Sequence, residues 1–479
     1  MLQIAEADIV RSLERDNPWW DLKNPKPFAE FSHERAYFAA FRQLVTNWEV
    51  NRSVILMGPR RVGKTVMLQQ LIESLVESGL APSQVMYASM DTPLYSSLSL
   101  EQLLGLFERH PGHEANDRRV IIFDEMQYLK NWETQLKLLT DRYPTTRFVA
   151  SGSAAAALRL KSQESGAGRF TEFVLPPLTF SEFLDFRDQT SSLIRVERDD
   201  TIRRFSTPNI KELNRAFVDY LNFGGYPEAV LSQGIQADIH RYLGRDIVDK
   251  VLLRDLPSLY GIEDIQELNR LFTVLAYNTG QEVSPAALAS QSNVASKTIS
   301  RYLEYLEAAF LIVRVQRIDD AGKTFQRIRQ FKVYLTNPSM RAALFAPIGP
   351  DDPAMGGLAE TAIFSQWVHS EQLVRIHYAR WKSGRSEREV DLVQLNPANL
   401  RPQWAYEIKW SDRYVDQPGE LRGLIEFAKR NPNLPQPVGA TTREVLNQES
   451  VVDGVRIRHF PCALHCYQIG KNVIEGRPA

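Results

Sequence analysis

Glu407 and Lys409 stand two positions apart in the mostly apolar run QWAYEIKW, residues 403–410. Side chains alternate between the faces of a strand, so this carboxylate and ammonium emerge on one side. Two chemistries fit. One is a surface ion pair on a solvated edge strand. The other is a hydrolytic centre in which carboxylates hold a metal ion and the lysine positions or activates a water. Asp391, sixteen residues earlier in REVDLVQL, supplies a second acid on a preceding strand. Glu360, in GLAETAIFSQWV, supplies a third on the first turn of an amphipathic helix. Hard oxygen ligands suit magnesium or manganese. Acids around such an ion stabilise the charge that builds on a phosphodiester and lower the pKa of a bound water. Arg380, Lys382, Arg385 and Arg388 flank the same strands and could steady a phosphate backbone.

A second constellation lies far upstream. Gly58-Pro59-Arg60-Arg61-Val62-Gly63-Lys64-Thr65 matches G-x-x-x-x-G-K-[ST] in full, with Val66 next. The two glycines permit dihedrals that aim backbone amides at phosphates. Lys64 would reach the terminal phosphates of ATP, and Thr65 would offer its hydroxyl to magnesium. An apolar strand precedes the loop and a helix follows it, which places the helix N-terminus at the phosphates. The run RRVIIFDEMQYL then ends a strand in Asp124 and Glu125, a magnesium-binding Asp followed by a water-activating Glu. A third strand, TRFVASGS, ends in Ser151-Gly152-Ser153. The polar residues there, Ser151 and Ser153, either sense the terminal phosphate or belong to a plain strand-to-loop turn. Arg169 follows in the Gly-rich segment SGAGRF.

Around these residues the composition is that of a folded chain. The 479 residues are 43% hydrophobic and 24% charged, enough for two to four domains. A formal net charge of −1 excludes a global basic field, so contact with nucleic acid needs local patches. Two cysteines, Cys462 and Cys466, make no disulfide framework and point to a reducing, cytoplasmic setting. They lie near His459 and His465, but their spacing matches no standard zinc pattern. The acidic opening residues, without a long apolar run, are not expected to form a signal peptide. No apolar stretch is long enough for a membrane span.

Strands alternating with helices imply a parallel sheet covered on both faces. The Gly58–Thr65 loop, IIFDEMQ, SGS, GRF with LPPLTFSEFL, and FGGYPEAV resemble AAA-type P-loop ATPases of bacteria and archaea. More narrowly, they resemble the subgroup whose C-terminal half is a domain of initially unknown function. That resemblance covers the chain from NPWW to about residue 430 and implies an AAA core followed by a helical lid. It implies Lys64 and Thr65 on phosphate and magnesium, Asp124 on magnesium, Glu125 as hydrolytic base and Ser153 at the sensor position. It also implies Arg169 as an arginine finger, hence a homo-oligomer.

SPAALASQSNVASKTISRYLEYLEAAFLIVRV reads as helix, turn, helix and strand, with Ser284 and Ser296 as caps. It resembles a winged helix-turn-helix in which Lys297, Thr298, Ser300 and Arg301 could face DNA. Arg314, Arg317, Lys323, Arg327, Arg329 and Lys332 make the following hairpin a local basic wing. The same module could instead only pack between domains. Near Asn337 the family pattern has an aspartate, and this chain departs from it. The order helix Glu360, strand Asp391, strand Glu407-x-Lys409 resembles the PD-(D/E)xK nuclease fold. It implies Asp391 and Glu407 as metal ligands, Glu360 as an auxiliary ligand and Lys409 in the catalytic role.

The expected fold class is α/β: an AAA P-loop parallel sheet, a helical lid, a winged helix-turn-helix and a PD-(D/E)xK nuclease-like mixed α/β domain. The expected segments are an N-terminal helical stretch (1–45), the ATPase core (46–177), lid and connector (178–250), winged helix (251–335) and nuclease-like domain (336–479). The expected function is an ATP hydrolase coupled to a magnesium- or manganese-dependent DNA nuclease. Its alternatives are an ATP-dependent scaffold switch that engages a protein partner through an inert nuclease-like domain, and a DNA-translocating motor.

Overall fold

Five short apolar runs pair into one sheet: β1 (Ser53–Met57), β2 (Val85–Ser89), β3 (Arg119–Asp124), β4 (Thr146–Gly152) and β5 (Phe170–Val174). Their order is β2-β3-β4-β1-β5, and every pairing is parallel. Parallel neighbours need crossovers. Helices Lys64–Glu77, Leu100–Glu108 and Trp132–Arg142 supply those that link β1 to β4 in sequence. β1, β3 and β4 are buried along their whole length, so they read as unbroken apolar runs instead of alternating ones. The position of β4 between β1 and β3 brings the carboxyl ends of three strands side by side.

This is a computed structural model. It describes residues 6–21, 33–95, 97–109, 118–152, 168–198, 203–292, 294–324, 330–368 and 370–477. The chain divides into two compact units, Met1–Leu175 and Pro176–Ala479.

The second unit contains a small antiparallel pair, β6 (Arg195–Arg198) and β7 (Arg203–Ser206). Its main body is a nine-stranded mixed sheet of β8 (Glu282–Val283), β9 (Ile312–Ile318), β10 (Phe331–Leu335), β11 (Ile376–Ser383), β12 (Ser386–Leu395), β13 (Pro402–Glu407), β14 (Val438–Thr442), β15 (Gln448–Val452) and β16 (Val455–Pro461). The order is β15-β16-β14-β13-β12-β11-β9-β10-β8. One face is covered by helices Phe180–Phe186, Ile210–Phe223, Met355–Ser365 and Cys462–Ile474, around Phe183, Phe217, Tyr220, Trp367 and Tyr467. Helix Arg422–Arg430 covers the other, with Leu424 and Phe427 among Trp381, Val393 and Ala405.

Two expected segments look different in this arrangement. Residues expected as a lid supply helices Phe180–Phe186 and Ile210–Phe223 to the core of the second unit. The expected wing strands β9 and β10 belong to the same sheet as β11–β14, which therefore runs across 335/336. The helices Ile265–Tyr277, Pro285–Ser292 and Ser296–Ala308 do form in sequence before β9. Ser284 Oγ accepts from Ala287 N–H at 3.2 Å as a cap should. Ser296 is not a cap: it is the first helical residue, behind Ala295.

Candidate functional site

The Gly58–Thr65 loop leaves β1 and enters helix Lys64–Glu77 as its letters demand. Gly63 has φ +95°, Arg61 φ +64° and Gly58 φ +151°. A Cβ on Gly58 would sit 2.2 Å from the Leu175 carbonyl, so no larger residue fits that turn. Lys64 Nζ donates to the carbonyls of Gly58 at 3.0 Å and Pro59 at 2.8 Å, which holds the ammonium within the loop. The buried Arg35 donates to the Val62 carbonyl at 2.7 Å and braces the loop from outside.

Across the strand ends, Thr65 Oγ1 donates to Asp124 Oδ2 at 2.8 Å. Tyr87 Oη donates to the same oxygen at 2.8 Å, and burial followed by the Asp124 charge pushes that phenol well above its usual pKa. Ser151 Oγ donates to Asp124 Oδ1 and accepts from Glu125 N–H at 3.2 Å. Glu125 sits at φ +55°, a left-handed conformation uncommon for a non-glycine, and Gln127 donates to its carboxylate. The oxygen-only pair of Thr65 and Asp124 fits magnesium. Ser153 lies outside the described residues. Ser151, one of the polar residues expected at this strand end, is the one beside Asp124, whereas Tyr87 carried no signal in the sequence.

Arg169 is placed elsewhere. It directly precedes β5, and the register Ser53↔Phe170 sets it beside the start of β1. The loop follows the other end of β1, about 16 Å away at 3.3 Å per strand residue. Arg169 Nε donates to Asp141 Oδ1 at 3.1 Å. It does not approach its own chain's Lys64 loop.

The second constellation converges. Leu392 pairs with Tyr406 across antiparallel strands, which sets Asp391 opposite Glu407 on the same face. Lys409 Nζ lies 3.1 Å from Asp391 Oδ2 and 3.1 Å from Glu407 Oε1. Ile408 N–H donates to Asp391 Oδ2 at 2.9 Å. Glu360 is on the second turn of its helix, not the first. Lys332 Nζ, only 3% exposed, lies 2.7 Å from Glu360, 2.6 Å from Glu389 and 3.6 Å from Asp391. Tyr334 Oη donates to Glu360 Oε1 at 2.5 Å. Lys332 is thus a member of this cluster and not of a basic wing: Lys332 and Tyr334 of β10 share one face, directed at the carboxylates. Glu389 was legible, since Glu389-x-Asp391 has the same strand spacing as Glu407-x-Lys409.

The charges are strongly coupled. Burial raises Glu407 to about 7, helped by Asp391 and opposed by Lys409. Burial likewise raises Glu360 to about 7 against the pull of Lys332. Burial acts on Asp391 too, but Lys409 and Lys332 outweigh it and hold that carboxyl below its usual value. Burial would lower both lysines, yet their carboxylate partners raise them. Among the described residues no three His, Cys, Asp or Glu side chains stand ready to hold a metal ion. Asp391 and Glu407 fit an ion bound through two carboxylates and waters, a habit of magnesium. Glu360, held by Lys332 and Tyr334, does not join them as a third ligand in this geometry.

Several of the expected phosphate-facing cations have carboxylate partners. Arg314 pairs with Glu307, Arg388 with Glu426, and Arg380 with Glu387 while approaching Glu282 and Glu389. Arg317 donates to the Arg380 carbonyl. Arg327 and Arg329 lie outside the described residues. Lys297, Arg301, Lys323, Lys382 and Arg385 are exposed. Cys462 and Cys466 are buried free thiols, and burial lowers the neighbouring His465 to about 3. Asn337 Oδ1 accepts from Ser339 N–H at 2.9 Å. Among the described residues no helix is long and apolar enough to cross a membrane.

Residues 50–184 match a family model described as an AAA domain, and residues 214–352 match one described as a domain of unknown function (DUF8612). An uncharacterized protein of Haemophilus influenzae is 24% identical over 381 residues, covering 78% of this chain and 88% of the relative. The uncharacterized protein MJ1544 of Methanocaldococcus jannaschii is 24% identical over 394 residues, covering 80% and 81%. Among solved structures, the Walker-type ATPase PABY2304 of Pyrococcus abyssi is similar at TM-score 0.37 and 12% identity, over 65% of this chain and 95% of that one. Residues 50–184, which hold the full P-loop motif, are thus matched as an AAA-type ATPase domain.

Proposed function

We propose that this chain hydrolyses ATP at the Gly58–Thr65 loop and cleaves phosphodiester bonds of DNA at Asp391, Glu407 and Lys409. The nucleotide half is supported by the full motif in its strand–loop–helix setting and by the Thr65–Asp124 contact. Lys64 would exchange its loop carbonyls for phosphate oxygens. Thr65 and Asp124 would hold magnesium, and Glu125 would accept the proton of the attacking water. Arg169, remote from its own loop, would serve a neighbouring copy. The setting proposed is cytoplasmic.

One observation carries the second half. Four carboxylates, Glu360, Glu389, Asp391 and Glu407, face two ammonium groups, Lys332 and Lys409, in a largely buried cluster. Arg380 reaches Glu389 at 3.5 Å but is shared with Glu282 and Glu387. The formal deficit of two positive charges is met either by protons on Glu360 and Glu407 or by one divalent cation. A bound magnesium or manganese would stabilise charge on a scissile phosphate and lower the pKa of a water. Lys409 would orient that water by donating from Nζ, and Lys332 would neutralise the acids not given to the metal. The opposite reading, a scaffold with an inert nuclease-like unit for a protein partner, draws on the same ion pairs: every carboxylate here already has an ammonium.

Two titrations separate these readings. Steady-state ATP hydrolysis should vanish in Lys64→Ala and survive in Asp391→Asn. Manganese titrated into the chain should show a site lost in Asp391→Asn and kept in Lys64→Ala. Loss of no site on Asp391→Asn would leave the scaffold reading.

A further inference from the structure

A cavity of 380 Å³ opens on the second unit, and its lining includes none of the residues of the carboxylate cluster. Ile408 and Trp410, which alternate with Glu407 and Lys409, pack on the core that holds Phe217 and Tyr220. Trp410 forms one wall. Its indole Nε1 donates to the Pro350 carbonyl at 2.9 Å, and its ring stacks on Phe217 at 5.5 Å. Arg443 caps the ring at 5.7 Å. Its segment is rigid, because the N–H groups of Arg443, Glu444 and Val445 all donate to Asp412 Oδ1 at 2.9–3.1 Å.

The opposite wall is helix Ile210–Phe223. Lys211 and Arg215, four residues apart, lie on one side of it and are exposed. Among the described residues neither has an ion-pair partner, while the acid beside them, Asp219, is bonded to Arg187 at 2.9 Å. Among the described residues Arg443 is paired only with Asp351, itself 79% exposed. Glu444 is the remaining acid on the wall. Between the cations lies Asn214, 7% exposed, whose Nδ2 donates to the Arg443 carbonyl at 2.8 Å. Its Oδ1 is buried with no hydrogen-bond partner among the described residues. A lone buried acceptor is costly unless a donor reaches it.

We propose that this cavity binds a nucleotide unit: the phosphate against Lys211, Arg215 and Arg443, the sugar and base against Trp410 and Pro350, and a sugar hydroxyl or base amine toward Asn214 Oδ1. The volume suits a ligand of that size. A free nucleotide and a nucleic-acid strand share this chemistry. The inference stands apart from the nuclease reading, because it uses none of the carboxylate cluster.

The test is anisotropy of a fluorescein-labelled oligothymidylate with the full chain in EDTA, comparing wild type with Lys211→Gln/Arg215→Gln. Both residues are exposed, and circular dichroism checks the fold. The double variant should bind about tenfold more weakly, and its slope of log affinity on log salt should fall by about 1.4, about 0.7 per lost phosphate contact. Competition with thymidine monophosphate assigns the source: displacement points to a free nucleotide, and no displacement to a strand. Equal affinity and slope in the variant, or no binding of either probe by the wild type, overturns the proposal.

Discussion

Lys332 Nζ reaches Glu360 and Glu389 at 2.7 and 2.6 Å, so its removal strands the largely buried Glu360 and the half-buried Glu389. Breaking a buried ion pair from one side costs about 3–5 kcal/mol. Lys332→Met should lower stability by that order in urea melts at pH 8, and added manganese should restore part of it. The pH dependence has a definite sign. Glu360 and Glu407 are raised in the folded chain from 4.5 to about 7. A raised carboxyl contributes stability that is present below 4.5 and lost as pH climbs through about 7. Thermal midpoints of the wild type should therefore fall across that window more than those of Glu360→Gln/Glu407→Gln. Equal slopes would contradict the coupling. At this scale the sequence was informative where spacing dictates contact: Glu407-x-Lys409 and the Asp391 partner are brought together as a strand's alternation requires. It set Lys332 on a basic wing and gave no role to Tyr334, because only the pairing of β10 with β9, and of β9 with β11, brings them to the cluster.

Elements hold these residues through close backbone approaches. Helix Arg422–Arg430 rests on β12 at Gly423, where a Cβ would sit 2.0 Å from the Glu389 carbonyl. Gly423→Ala should push that helix off the strand carrying Glu389 and Asp391. Overpacking of this kind costs about 1–3 kcal/mol, and the same variant should weaken manganese binding. A variant of unchanged stability would show that the helix can shift freely. In the first unit, the strand–loop–helix around Gly58–Thr65 and the Asp124 strand were legible because motif and apolar run coincide. The nine-stranded sheet was not. β9 and β10 read as a separate wing, since nothing local in a basic hairpin shows which sheet it joins. The helices at 180–186 and 210–223 read as a lid for the same reason: an amphipathic face does not name its partner.

For the whole molecule, Arg169 sets a constraint. It lies at the end of the parallel sheet opposite its own Lys64 loop, so a role in hydrolysis requires a second copy. Arg169→Ala and Lys64→Ala should each abolish ATP hydrolysis alone, and their equimolar mixture should recover part of it, because some loops then meet an intact arginine. No recovery, or full activity of Arg169→Ala alone, would remove the arginine from the mechanism. A hydrolytic centre served by an ATPase should reveal itself when the full chain is incubated with supercoiled and single-stranded DNA. Magnesium or manganese would be present, with and without ATP, beside Asp391→Asn and Lys64→Ala. Strand scission by the wild type that disappears in Asp391→Asn is the expected result, with the Lys64→Ala response reporting coupling to ATP. Intact DNA under every condition, while ATP hydrolysis proceeds, would contradict the account.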